Sequence, residues 1–285
     1  MSLFNITLPL GLQGHRGARG LFPENTMEGF QAALALGVRA FELDVGMTAD
    51  GIVVVSHDLA LNPDLTRDAS GAWLKGPGPL LRDLRWDELR RFDVGRLRPG
   101  TAYAAQFPDQ RPIDGAGIPT LAEVLALGEA PNLTIELKTD PRIPDHTVPP
   151  AVLADAVMRL VDASGAGDRV VIESFDWRGP RHLRRTRPEI RLAWLTRPET
   201  VRDAALWWDG ASPNAHGGSV PRSVAAEGGI WAPDHAALTA EQIAEAHDLG
   251  LLVLPWTVND PAAMARLFTW GVDGLITDRP DLASD

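Results

Sequence analysis

The amino-acid sequence predicts an α/β protein built as a (β/α)8 barrel, the TIM-barrel fold, with a β-hairpin after the second strand. Short β-rich runs alternate with amphipathic helical stretches along most of the 285 residues, which is typical of a parallel sheet. The sequence contains nine candidate strands, one more than an eight-stranded barrel needs, and a short loop explains the extra strand as part of a hairpin. An open doubly wound sheet is the alternative, but no G-x-G-x-x-G segment supports it.

Nine segments are candidate strands. Two of them are separated only by Thr48-Ala49-Asp50-Gly51, and strands joined by so short a turn are antiparallel because a parallel crossover needs about a dozen residues. The third segment therefore folds back on the second as a hairpin, and eight parallel strands remain for the barrel. The candidate segments are 11–15, 39–46, 52–56, 132–138, 169–174, 190–195, 229–232, 250–256 and 273–277.

Capping residues mark the helix boundaries. Three helices are predicted to begin at capping boxes, and Asp260-Pro261 begins another as N-cap and first helical residue. Three helices are predicted to end at glycines. Glu24 and Asn25 are interpreted as structural residues that brace a loop and cap the first helix. The boxes are Asn25/Glu28, Thr120/Glu123 and Thr239/Gln242, and the glycines are Gly37, Gly250 and Gly271.

Residues 58–118 interrupt the alternation of strands and helices. They are rich in Pro, Gly, Asp and Arg, are too long for an ordinary βα loop, and contain one short helical piece near "RDLRWDELRRF". A long insertion at the end of a barrel strand usually forms a lid or a substrate wall, and we expect that role here. Residues 1–285 are expected to form one domain that carries this insertion.

Composition excludes several classes of function. The chain has no cysteine, which rules out disulfides, thiolate metal sites and a cysteine nucleophile. Its formal charge of −11 leaves no basic stripe for nucleic acid. No apolar run approaches the ~20 residues of a membrane helix, so no stable membrane insertion is expected. Residues 1–12 lack the features of a signal peptide, and we therefore expect a cytoplasmic protein.

The segment "FELDVGMTADGIVVVSHD", residues 41–58, brings an acidic pair and a histidine together. Glu42 and Asp44 are two positions apart in a strand, so both carboxylates point to one face, about 6.5–7 Å apart. The apolar residues that alternate with them suit the outer face of a barrel strand. A turn centred between positions 49 and 50 places His57 opposite Glu42, and one centred between 50 and 51 places it opposite Asp44. Either register predicts His57 beside the acidic pair.

A third carboxylate, Glu136, precedes Lys138 by two positions at the end of the next parallel strand. Active sites of barrels form at the carboxyl ends of the strands. Three carboxylates and no thiol suit a hard divalent cation, Mg²⁺ or Ca²⁺, better than zinc. Such an ion would be surrounded by His15, Arg16, His57 and Lys138. A metal ringed by two imidazoles and two cations is typical of a phosphate-ester site.

Six segments resemble the glycerophosphodiester phosphodiesterase family, in order and at comparable spacing, over about residues 12–280. The insertion at 58–118 corresponds to one that distinguishes this family from plainer barrels. The matching segments are "HRGARGLFPENT", "ELDVGMTADGIVVVSHD", "IELK", "ESFD", "PWTVND" and "GVDGLITDRP".

The resemblance implies a metal-dependent enzyme that hydrolyses small glycerophosphodiesters to sn-glycerol 3-phosphate and an alcohol. It also implies that the glycerol 2-hydroxyl attacks phosphorus and that water then opens the cyclic phosphate. A related metal-dependent phosphodiesterase that cleaves lysophospholipids, phospholipase D-like or cyclising, is one alternative. A non-catalytic binding module that keeps the barrel is the other. The implied residues are Glu42, Asp44 and Glu136 as metal ligands, His15 and His57 as general acid and base, Arg16 and Lys138 as phosphate ligands, and Trp256 as a wall for the glycerol.

Other polar residues receive lesser roles. Glu173 in "ESFD" is a candidate fourth carboxylate near the metal, at another strand end. Ser56-His57-Asp58 is not predicted to form a triad, because neighbouring strand residues point to opposite faces. The remaining histidines are predicted to be structural or at the surface: His146, His182, His216, His235 and His247.

Overall fold

A computed structural model describes residues 10–283 as a barrel of eight parallel strands, so the predicted fold class is confirmed. All nine candidate segments contain a strand, although the eighth strand is only two residues long. The strands are β1 (Gly11–His15), β2 (Ala40–Met47), β3 (Val53–Val55), β4 (Asn132–Leu137), β5 (Val170–Ser174), β6 (Arg191–Thr196), β7 (Ile230–Pro233), β8 (Leu252–Val253) and β9 (Gly274–Thr277).

The parallel strands pair in the order β8-β7-β6-β5-β4-β2-β1-β9. Individual backbone hydrogen bonds close the barrel between β9 and the segment that contains β8. The Asp273 amide donates to the Val253 carbonyl at 3.0 Å, and the Ile276 amide donates to the Pro255 carbonyl at 3.0 Å. The carboxyl ends of all eight parallel strands therefore lie at one end of the barrel, where side chains from distant segments meet.

The hairpin predicted after the second strand is present, but its register differs from both expected ones. Antiparallel β3 pairs with β2, with Val55 opposite Val45 and Val53 opposite Met47. The turn is therefore centred on Asp50 itself, and the ladder would place position 57 opposite Leu43. The strand ends at Val55, so the following residues leave the ladder and are no longer directed by its alternation.

Helices follow the strands and cover the outer face of the sheet. The apolar residues of β2 lie wholly buried beneath them, as predicted, while a second apolar cluster, including Leu195, Ile230 and Ile276, fills the interior of the barrel. The helices are α1 (Met27–Ala35), α2 (Trp86–Leu89), α3 (Leu121–Leu125), α4 (Pro150–Ser164), α5 (Arg178–Thr186), α6 (Pro198–Arg202), α7 (Ala204–Trp207), α8 (Val220–Ala225), α9 (Ala240–Asp248) and α10 (Pro261–Thr269).

Most predicted helix boundaries are confirmed, and one is wrong. Thr120 and Thr239 form the expected capping boxes, and Asp260 caps α10 through the Ala263 amide. The three predicted glycines follow helix ends with positive φ. The N-cap of α1, however, is Thr26, whose hydroxyl accepts from the Gly29 amide. Asn25 is not the cap because its backbone lies at φ 52° and its amide group turns into the barrel.

The insertion packs as an annex with its own apolar cluster, built on Leu61, Leu81 and Leu89. Only its first two residues, Asp58 and Leu59, line the main cavity. Its later part contacts the loop that follows β1, where the Gln110 side chain donates to the Arg19 carbonyl at 2.7 Å. The insertion thus forms little of the cavity wall and mainly braces the loop between β1 and α1.

Across residues 10–283, the helices are all too short or too polar to cross a membrane. The signal-peptide prediction concerns residues 1–12, nine of which lie outside the described residues. It stays a prediction, as does the cytoplasmic location.

Candidate active site

A cavity of about 390 Å³ opens at the carboxyl ends of the strands and contains nearly the whole predicted site. Asp44 is the only predicted site residue that does not line it, because it lies beneath the floor and is 1% exposed. The predicted residues that line it are His15, Arg16, Glu42, His57, Glu136, Lys138, Glu173 and Trp256.

The three predicted metal ligands form one buried cluster. Single oxygen atoms of Glu42, Asp44 and Glu136 all lie within 4.8 Å of one another. Strand register produces this arrangement, since Asp44 lies beside Glu136 and Glu136 lies beside Glu173 in adjacent parallel strands. Glu42 lies beside His15 in the same way. The cluster could therefore hold a metal ion, with Glu173 as its neighbour rather than its fourth member.

Burial sets the charge of these carboxyls. Burial and the adjacent Asp44 raise the pKa of Glu42 well above its usual range, and burial raises that of Glu136 to about 7. Burial, Glu136 and Asp44 likewise raise the pKa of Glu173. Asp44 behaves oppositely: although burial opposes ionisation, Arg16 and Lys138 hold its pKa well below the usual range.

This donor set fits a hard divalent cation. Oδ1 of Asp44 and Oε2 of Glu173 are buried and accept no hydrogen bond from the residues of the described chain. The nearest cation to Asp44 Oδ1 is Nζ of Lys138, at 3.4 Å. Several carboxylates crowded together in a buried site are unfavourable without a compensating charge, and an ion with oxygen ligands supplies that charge.

Two cationic side chains stand on opposite sides of the cluster. Lys138 donates from Nζ to Oε1 of Glu136 at 2.9 Å. Nε of Arg16 lies 3.1 Å from Oδ2 of Asp44, and its Nη1 donates to Oε1 of Glu24 at 2.7 Å. Both cations are thus pre-oriented by carboxylates at the edge of the cavity.

The glycines around His15 and Arg16 have a steric reason. Arg16 adopts φ 52°, and Gly17 follows with φ 98°. A Cβ on Gly14 would lie 1.9 Å from the Gly17 carbonyl oxygen. The chain therefore turns sharply after β1, and this turn directs His15 and Arg16 into the cavity instead of along the strand.

Each predicted catalytic histidine contacts an aspartate through Nδ1. For His15 the partner is Asp278 at 2.6 Å, and for His57 it is Asp58 at 2.7 Å. Burial lowers the pKa of His15 to about 4, and partial burial together with Lys138 and Arg16 lowers that of His57. An imidazole with a fixed ring orientation can accept a proton at Nε2 when it is neutral and donate one when it is protonated.

The expectation that His57 and Asp58 point apart is wrong. It assumed a strand through position 58, whereas β3 ends at Val55 and strand alternation no longer directs the side chains of the next residues. Ser56 stays outside the arrangement, since its hydroxyl contacts the Asp58 carbonyl at 3.5 Å and not the imidazole. The result is a histidine–aspartate pair and no serine triad.

Sequence reasoning missed several residues around the site. Asn25 donates to Oδ2 of Asp44 at 3.0 Å, so its role is at the acidic cluster and not at a helix cap. Asp278 directly follows β9, the strand next to β1, and its place at a strand end was the available signal. The remaining five histidines lie outside the cavity lining, as predicted.

Comparisons with known proteins identify the family. The model of the glycerophosphoryl diester phosphodiesterase family matches residues 15–282. The chain belongs to this family. A glycerophosphodiester phosphodiesterase of Bacillus subtilis is 30% identical over 274 residues, which are 94% of this chain and 83% of that protein. The predicted enzyme class, a phosphodiester hydrolase of this family, is confirmed.

Solved structures agree with the fold. A crystal structure from Silicibacter pomeroyi, of a protein named for the same family, is 42% identical with a TM-score of 0.86, covering 96% of this chain and 92% of that one. A phosphodiesterase of Oleispira antarctica, solved in complex with its product sn-glycerol-3-phosphate, is 22% identical with a TM-score of 0.69. It covers 96% of this chain and 94% of the other.

Proposed function

We propose that this enzyme hydrolyses glycerophosphodiesters to sn-glycerol 3-phosphate and an alcohol with the help of one divalent cation. The observation that carries the proposal is the meeting of three buried carboxylates and two aspartate-linked histidines in a single cavity. The family supports it, and so does the sn-glycerol-3-phosphate bound by the Oleispira relative.

Glu42, Asp44 and Glu136 are proposed to hold the cation. Their hard oxygen donors favour Mg²⁺ or Ca²⁺. When bound, such an ion supplies positive charge that stabilises negative charge developing on the phosphate. Glu173, buried beside Glu136 with a free oxygen, is proposed as an outer carboxylate of the same site.

His15 and His57 are proposed as general acid and base. One imidazole, neutral at the start, takes the proton of the glycerol 2-hydroxyl as that oxygen attacks phosphorus. The other, protonated at the start, donates its proton to the departing alkoxide. The products of this step are a cyclic phosphate and the free alcohol. Water then opens the ring with the two roles exchanged, which restores both histidines. Asp278 and Asp58 fix the rings for these transfers.

Arg16 and Lys138 are proposed to bind phosphate oxygens, and Trp256 to support the glycerol. The Trp256 indole is held in place because Nε1 donates to the Ala232 carbonyl at 2.9 Å and Phe175 packs on it edge to face at 5.4 Å. A fixed, partly exposed ring suits the apolar face of a three-carbon group. We further propose that the chain acts as a single domain on a small-molecule substrate.

The test is release of glycerol 3-phosphate from a panel of glycerophosphodiesters in the presence of Mg²⁺, Ca²⁺ or EDTA. We expect release with a divalent cation, none after exhaustive chelation, and a loss of about 10²–10⁴-fold for His15→Ala or His57→Ala. Full activity after chelation would contradict the metal proposal, and a loss below about tenfold would remove that histidine from the mechanism. Turnover of lysophospholipids alone would favour the alternative reaction.

A further inference from the structure

One wall of the cavity, away from the acidic cluster, combines aromatic rings with arginines. Phe175 packs edge to face against Trp256 at 5.4 Å and against Trp207 at 6.5 Å, so the three rings form a continuous surface. Arg197 and Arg142 line the cavity beside these rings. We call these five residues the aromatic–arginine wall.

The two guanidinium groups already occupy aromatic faces. The Arg197 guanidinium carbon lies 4.9 Å from the centre of the Phe175 ring, and that of Arg142 lies 5.1 Å from the centre of the Trp207 ring. Three rings of this kind could otherwise form a cage for a quaternary ammonium, which binds through aromatic faces. Here the protein's own cations take those positions. Asp140 offsets the charge of Arg142, whereas Arg197 has no carboxylate of residues 10–283 within hydrogen-bond distance, and its charge repels another cation.

The two arginines differ in their freedom to bind a ligand. Arg142 is engaged by Asp140, with Nε 2.9 Å from Oδ1 and Nη2 2.5 Å from Oδ2. The Arg197 side chain makes no hydrogen bond to the described part of the chain, and its buried Nε has no acceptor. Its nearest carboxylate oxygen, on Glu199, is 3.8 Å away. Arg197 therefore presents unused donors on the cavity wall.

We propose that the part of the aromatic–arginine wall beyond Trp256, formed by Phe175, Trp207, Arg142 and Arg197, is the binding site of the departing alcohol. It selects a hydroxyl-rich, non-cationic alcohol over a quaternary ammonium alcohol. The inference rests on the proposed function. The glycerol must stay beside phosphorus because its 2-hydroxyl attacks, and it is short enough to lie on Trp256. The alcohol then extends to the rim, where the Arg197 and Arg142 side chains are 37% and 58% exposed. Polyol C–H groups pack against the parts of the rings that the guanidinium groups leave uncovered, and Arg197 donates to the hydroxyls.

The test compares kcat/KM for glycerophosphoglycerol and glycerophosphocholine in wild type, Arg197→Met and Arg197→Glu, with the divalent cation present. Wild type is expected to favour glycerophosphoglycerol by about tenfold or more, since hydrogen bonds to charged groups contribute on that scale. Arg197→Met keeps a long side chain and removes the charge. It lowers kcat/KM for glycerophosphoglycerol and changes kcat/KM for glycerophosphocholine little. Arg197→Glu raises the relative rate for glycerophosphocholine.

Arg202→Ala is the matched control, because Arg202 is an exposed arginine at the end of helix α6, whose N-cap residue is Arg197, and it lies outside this cavity. It leaves both rates unchanged. Equal or better turnover of glycerophosphocholine by wild type, or an equal loss on both substrates in Arg197→Met, overturns the inference and leaves the proposed function intact. Absence of glycerol 3-phosphate from every substrate overturns both.

Discussion

Oδ1 of Asp278 lies 2.6 Å from Nδ1 of His15, so a residue after the last strand orients the ring at the end of the first. The same oxygen accepts from Nε of Arg19 at 2.6 Å, and Oδ2 accepts from Asn259 at 2.7 Å. The carboxylate is therefore itself fixed from two further segments. Nε2 of His15 is left facing the acidic cluster, 3.5 Å from Glu42.

Replacing Asp278 is expected to reduce turnover without a comparable change in KM, because the carboxylate positions His15 and does not touch substrate. We expect Asp278→Ala to lower kcat by about 10²-fold or more, and Asp278→Asn to lose less because its amide oxygen still accepts from Nδ1. Steady-state kinetics on glycerophosphoglycerol give both parameters. Asp281→Ala is the control, since Asp281 is exposed and, among residues 10–283, pairs with Arg279 alone. Equal kcat in the Asp278 and Asp281 variants would exclude the positioning role.

The metal-free enzyme is expected to lose stability as pH rises, through Glu136. Burial raises the pKa of Glu136 to about 7 from its ordinary value of 4.5. Between these two pH values the Glu136 carboxyl is ionised in the unfolded chain and protonated in the folded one. The stabilisation is therefore complete below 4.5 and is lost as pH rises through about 7. Cation binding needs the ionised form of Glu136, so it restores stability mainly at the higher pH values.

Thermal denaturation at about pH 5 and about pH 8, with EDTA or Mg²⁺, measures this effect. Between the lower and the higher pH, the Tm of the metal-free wild type should fall by more than that of Glu136→Gln. Added Mg²⁺ should raise the Tm of the wild type by more than that of Glu136→Gln. Glu129→Gln, at an exposed glutamate paired with Arg39, should behave as wild type. An unchanged response to Mg²⁺ in Glu136→Gln would contradict the assignment of Glu136 to the cation site.

The strand pattern could be predicted because it depends on local spacing. Residues two apart in a strand share a face, and this alone placed Glu42 and Asp44 inside the barrel and their apolar neighbours outside. Parallel register then aligned Glu136 with Asp44 without further information. Capping at Thr120 and Thr239 is equally local and was predicted correctly.

The contacts made outside regular strands could not be predicted. Asn25 is a residue type favoured at N-caps, but its left-handed backbone directs the side-chain amide to Asp44. Thr26 caps α1 instead. His57 lies beyond the end of β3, where alternation no longer applies. Asp278 acts on a residue 263 positions earlier, and only barrel closure reveals that they meet.

We expect that lysine is specifically required at position 138. Nζ lies 2.9 Å from Glu136 and 3.4 Å from Asp44, and the side chain is only 14% exposed. The larger, planar guanidinium of arginine has a different shape and hydration and does not fit a point contact between two carboxylates. We expect Lys138→Arg to lower kcat/KM by about tenfold or more. Lys75→Arg, at the only other lysine, tests the same substitution in an exposed loop and should be silent. Full activity of Lys138→Arg would reduce the role of this residue to charge alone.

The insertion is expected to influence substrate binding through the only tyrosine of the chain, Tyr103. Its hydroxyl donates to Oε2 of Glu24 and accepts from Arg19 at 3.3 Å. Glu24 in turn holds Arg16, the proposed phosphate ligand, at 2.7 Å. Tyr103→Phe removes only the hydroxyl and leaves the buried Glu24 one donor short, which costs about 1–3 kcal/mol of unfolding free energy.

We therefore expect Tyr103→Phe to lower Tm and to raise KM for glycerophosphoglycerol, because the loosened Arg16 binds phosphate less well. Phe107→Leu is the matched control. It removes the ring that packs 5.3 Å from Tyr103 and 4.7 Å from the Arg19 guanidinium carbon, but it removes no hydrogen-bonding group from the path between Tyr103, Glu24 and Arg16. It should lower Tm without changing KM, since the path to Arg16 is intact. If both variants raise KM equally, the insertion acts by general packing. A rise in KM confined to Tyr103→Phe means that the insertion, which forms little of the cavity wall, sets the geometry of the phosphate site through one hydroxyl.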